Sequence, residues 1–72
     1  MNHFDTLLGA FKSIGVSVEV HDERQNHWHP KAVPTEATKF ISTGIAHYHF
    51  DEGGAYLGTE CNGDGKFVPR VG

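Results

Sequence analysis

Apolar residues in the first fourteen positions recur at helical spacing. Phe4, Leu7, Leu8, Phe11 and Ile14 follow an i, i+3, i+4, i+7 stripe, which predicts an amphipathic helix over 3–14. Asn2 stands where an N-cap belongs, Asp5 lies in the first turn, and Gly15 falls where a C′ glycine ends a helix. Gly9 costs such a helix about 1 kcal/mol relative to alanine, a cost offset if it lets the helix approach a sheet closely.

The period then changes from 3.6 to 2. Val16, Val18 and Val20 alternate with Ser17, Glu19 and His21, the pattern of a half-buried strand. Residues 22–38 are polar, broken by Trp28, Ala32 and Val33, and Pro30 and Pro34 exclude a central strand there. This segment is expected to be a long loop with a short edge strand near Trp28; loops of this length in so small a domain are often functional. From Lys39 onward the chain reads as a β-meander. One long strand is expected from 40 to 50, bent at Gly44, where the apolar parity shifts from Ile41 and Ile45 to Ala46, Tyr48 and Phe50. Asp51-Glu52-Gly53-Gly54 forms a turn, 55–61 the return strand, Asn62-Gly63-Asp64-Gly65 a second turn, and 67–71 a last strand placed at an edge by Pro69. The expected fold is a single α+β domain over 1–72, an N-terminal amphipathic helix packed on a curved antiparallel β-meander of three to five strands.

Composition supports a folded domain with a small core. Apolar residues make up 38% of the 72, and the nine glycines bring the total close to the globular norm. A chain of this size is marginal without a staple or a partner. Cys61 is the only cysteine, so no disulfide can form within the chain, which fits a reducing, cytoplasmic setting. No apolar run approaches the roughly 20 residues that span a bilayer. The six Lys and Arg residues are dispersed, which argues against nucleic acid as a partner. Six residues are histidine, and protonating all of them would carry the formal net charge from −3 to +3.

Four of those histidines form two His-x-His pairs, His27-Trp28-His29 and His47-Tyr48-His49. On a strand, His47, His49 and Asp51 project from one face, and neighbouring imidazoles are suitable ligands for zinc or another transition metal. His27 and His29, or His21, complete a site if the long loop folds back. The opposing expectation is that Tyr48 and Phe50 face the core and leave His47 and His49 on a solvated face. Glu60 to Gly65 echoes the start of a calcium loop, but Val71 stands where a glutamate is required, so the segment reads as a hairpin turn.

Catalysis finds no support. Cys61 ends a strand, the serines carry no nucleophile motif, and Gly53-Gly54 is too short for a phosphate loop. Two functional expectations follow. The first is a non-catalytic interaction module, a regulator or inhibitor that occupies a partner protein or a second copy of itself. Trp28, Tyr48 and Tyr56 would be its anchors, with Asp51 and Glu52 steering association. The second is a histidine-based metal-binding or pH-sensing module using His47, His49, His27 and His29; no other cofactor is implied.

Overall fold

Asn2 opens helix α1 (His3–Ser13) by accepting a hydrogen bond on Oδ1 from the Asp5 backbone N–H at 2.8 Å. The helix closes with a Schellman motif. Gly15, at φ +78°, donates to the Lys12 carbonyl, and Val16 donates to the Phe11 carbonyl at 3.0 Å. The computed structural model describes residues 2–22, 27–63 and 65–70. Five strands follow α1: β1 (Glu19–His21), β2 (Lys39–Ser42), β3 (Ala46–Phe50), β4 (Tyr56–Cys61) and β5 (Phe67–Pro69). They form one antiparallel sheet in the order β1-β2-β3-β4-β5, a meander with one helix, as the sequence predicts.

The single strand expected from 40 to 50 is two. Ser42 pairs with His47, and the chain reverses between them through Thr43, whose backbone N–H donates to the Ala46 carbonyl at 3.0 Å. Gly44 at φ +93° takes the first central position of this reversal, which II′ hairpin turns reserve for glycine. The parity shift at Gly44 therefore marks a hairpin rather than a bend. The irregularity that does occur lies further on, where the β3–β4 register slips between His49 and Phe50.

The first strand is shorter than the valine alternation predicts. β1 sits at a sheet edge, and Val16 and Val20 are exposed while Val18 is half-buried. The helix lies across β3 at the centre of the sheet, with Phe4 edge-on to Phe50 at 5.1 Å and Phe11 tilted against Tyr48 at 5.4 Å. Its N-terminus is fastened to the β3–β4 hairpin by Phe4 N–H to the Gly54 carbonyl and by Tyr56 N–H to His3 Nδ1, each 3.0 Å. Gly9 is exposed, with nothing within 4 Å of where a Cβ would stand, so it provides no close approach to the sheet.

Residues 27–38 of the expected 22–38 loop cover the other face. Among its described residues there is no strand, and the stretch after Trp28 turns rather than extends. His27, Val33 and Ala37 are buried, along with Phe40, His47, His49 and Glu60. Central strand β3 is thus sandwiched between a helix and a loop. Because both faces are covered, the histidines are not on a solvated surface. The expected last strand ends at Pro69, and Val71 lies outside the described residues.

Candidate functional site

The site is assembled by register. Antiparallel pairing sets His47 of β3 opposite Glu60 of β4, and His49 opposite Gly58, so His47, His49 and Glu60 share one face. Phe40 of β2 pairs with His49 and joins them there. Four imidazoles pack around the Phe40 ring: His47 stacked at 4.4 Å, His21 stacked at 4.7 Å, His27 edge-on at 5.1 Å and His49 tilted at 5.3 Å. Trp28 closes the cluster by stacking on His47 at 3.5 Å, and His27 leans on His49 at 4.5 Å.

Glu60 is the hub. Its side chain is fully buried, and four donors converge on it. Oε1 accepts from His47 Nδ1 at 2.9 Å, His49 Nε2 at 3.0 Å and the Trp28 backbone N–H at 3.3 Å. Oε2 accepts from the His29 backbone N–H at 2.7 Å. Burial alone would push the carboxyl pKa up. The His29 N–H, then the His49 and His47 hydrogen bonds and the His49 charge, outweigh that effect and hold it below the ordinary glutamate value. An ionised carboxylate only accepts, so both imidazoles present N–H to it, His47 at Nδ1 and His49 at Nε2. Burial pulls the His47 pKa below its ordinary value; the hydrogen bond and charge of Glu60 oppose this, and His21 adds to the lowering.

His27, His49 and Glu60 each offer a ligand atom, and these atoms lie within 4.8 Å of one another. All three residues are buried. The four histidines that the sequence singles out therefore have different places. His27 and His49 line this triplet. His47 holds the triplet's carboxylate. His29 contributes its backbone N–H to Glu60, while its ring Nε2 accepts from the Gly65 N–H at 3.1 Å. Asp51 is not brought to the cluster, because its Oδ1 accepts from the Ala55 N–H at 2.9 Å and is spent on the β3–β4 turn. Glu52 is exposed on that turn. Of the three aromatic anchors, Trp28 lies on the loop face, whereas Tyr48 and Tyr56 lie on the helix face.

Sequence reasoning missed Glu60 as a participant. Its signal was the shared parity of Gly58 and Glu60 in β4, which reads as buried only once His47 is known to pair with it. The chain matches no family model, and no curated protein or solved structure is significantly similar to it. Among the described residues, no helix is long and apolar enough to cross a membrane.

Proposed function

We propose that this protein is a transition-metal-binding module, with zinc the ion its donors suit best, and that the ion fastens the 22–38 loop to the sheet. The observation that carries the reading is the buried triplet itself: His27 from the loop, His49 from β3 and Glu60 from β4, with ligand atoms within 4.8 Å of one another. Two imidazoles and a carboxylate form a donor set that zinc commonly takes. Zinc–nitrogen and zinc–oxygen bonds of about 2.0–2.2 Å make the edge of a tetrahedral site roughly 3.3 Å. His49 Nε2 and Glu60 Oε1, at 3.0 Å, already stand close to that edge. The surroundings also suit a ligating carboxylate, since His47 and two backbone N–H groups fix its orientation.

Coordination through His49 Nε2 displaces the proton that this nitrogen donates to Glu60, so uptake releases acid. Occupation of a partner protein by Trp28, Tyr48 and Tyr56 draws less support, because these anchors are divided between opposite faces of the sheet.

The test is calorimetric titration of the chelator-treated full chain with zinc, alongside His27→Ala. His27 belongs to the loop but is buried against Phe40 and His49, so the fold of the variant is checked by circular dichroism before titration. One ion per chain at micromolar affinity or better, weakened at least about tenfold in the variant, supports the reading. Absence of saturable uptake, or unchanged uptake by His27→Ala, overturns it.

A further inference from the structure

A cavity apart from the buried histidine cluster lies on the helix face. It measures about 450 Å³, within the range of small-molecule sites. Helix α1 supplies one wall through His3, Thr6, Leu7 and Ala10, and the sheet supplies the other through Tyr48, Phe50 and Tyr56, with Arg70 completing the lining. The sequence explains why the space stays open. These four helical positions form one i, i+3, i+4, i+7 stripe, and its later members Thr6 and Ala10 are small. Phe4 and Phe11 make the ring contacts with the sheet on either side of them. No residue of the helix is fully buried, so the seam between helix and sheet is unfilled along this stripe.

The polar side chains lining this cavity are Arg70, His3, Thr6, Tyr48 and Tyr56. Arg70 carries the only permanent charge among the lining residues, in a chain whose net charge is −3. Its backbone is pinned by a 2.9 Å hydrogen bond from its N–H to the Leu57 carbonyl. No carboxylate among the described residues pairs with its side chain. His3 Nδ1 accepts from the Tyr56 N–H, so in the neutral ring Nε2 carries the proton and is a donor. A guanidinium and an imidazole N–H beside apolar and aromatic walls match a carboxylate joined to an apolar body.

We propose that this cavity is a binding site for an amphipathic monocarboxylate, a medium-chain aliphatic or arylalkanoic acid, with its tail between Leu7 and Tyr56 and its carboxylate on Arg70. The site is independent of the metal reading, since the two lie on opposite sheet faces and share no residue.

The experiment is an NMR titration of the chelator-treated, isotope-labelled full chain with octanoate and with 3-phenylpropanoate. Octanamide serves as the uncharged control, and removing metal keeps a carboxylate from being read through the other face. Saturable shifts at Leu7, Ala10, Tyr48, Tyr56 and Arg70 are expected. Arg70→Gln, an exposed substitution that leaves the fold intact, should weaken octanoate about tenfold or more, to the level of octanamide. Ala10→Phe, which fills the cavity from the exposed helix, should abolish the shifts while circular dichroism stays unchanged. Absence of saturable shifts, shifts confined to the loop face, or equal binding of octanoate and octanamide overturns the proposal.

Discussion

His47 and Glu60 face one another across β3 and β4, with Nδ1 2.9 Å from Oε1 and both side chains almost wholly withdrawn from water. A charged carboxylate in that position is tolerable only because every one of its donors is in place. The pair therefore ties three pieces of chain together: two strands by their register, and the loop by the backbone N–H groups of Trp28 and His29.

Glu60→Gln tests that dependence. Glutamine keeps the volume but leaves one acceptor where the carboxylate had two, and its NH₂ group meets either the His29 N–H or the donors on Oε1. The variant is expected to lose about 1–3 kcal/mol in urea denaturation, the range for stranding a buried polar group. A loss below about 0.5 kcal/mol, typical of surface changes, would show that the loop does not depend on the carboxylate.

Acid should loosen the metal-free protein in two stages of the same sign. His47 has a folded pKa below its ordinary 6.5, so between those values the unfolded chain binds more protons. Its contribution is complete above pH 6.5 and is lost as pH falls toward the folded value. Glu60 is also lowered, from 4.5, so its contribution is present above pH 4.5 and declines as pH falls further. Denaturation across pH 3–8 should give unfolding free energy that drops on acidification in both windows. Subtracting the profile of His47→Gln should remove the upper stage; an unchanged profile would exclude His47 as its source.

The two glycines at 9 and 58 should respond to alanine in opposite directions. At Gly58, φ is +155° and a Cβ would fall well under 3.0 Å from the Val68 carbonyl oxygen and from the Phe67 ring. That ring leans on His49 at 5.9 Å, so the missing side chain makes room for part of the cluster's wall. Gly58→Ala is expected to destabilise by about 1–3 kcal/mol, the cost of overpacking. Gly9→Ala, in an open helical position, should stabilise by up to about 1 kcal/mol. Thermal melts of the two variants side by side check both signs.

Much of the architecture was legible because local signals agreed. Asn2, the Phe4–Ile14 stripe and Gly15 each pointed to the same helix, and Pro69 put β5 at an edge. The 40–50 stretch reads as one strand because a II′ turn needs only one glycine, and Gly44 sits within an otherwise strand-like run. The histidines were visible by composition, but their burial was not. Alternation says which residues share a face, and only the tertiary packing of residues 27–38 decides that this face is dry. Glu60 stayed hidden for a related reason, since its partners are 11, 13 and more than 30 residues away in sequence.

Zinc should stabilise the fold by locking the loop, and the effect can be located. An ion that binds only the folded chain adds about 2.7 kcal/mol at a hundredfold excess over its dissociation constant. Because His27 is the loop's contribution to the triplet, that gain should be accompanied by slower hydrogen exchange at the Trp28 and His29 amides, whose acceptor is Glu60. The β1 edge, remote from the ligands in strand order, should change little. In His27→Ala both the added stability and the amide protection should vanish together. If protection rose uniformly over the whole sheet in that variant, the ion would be acting somewhere other than between loop and strand.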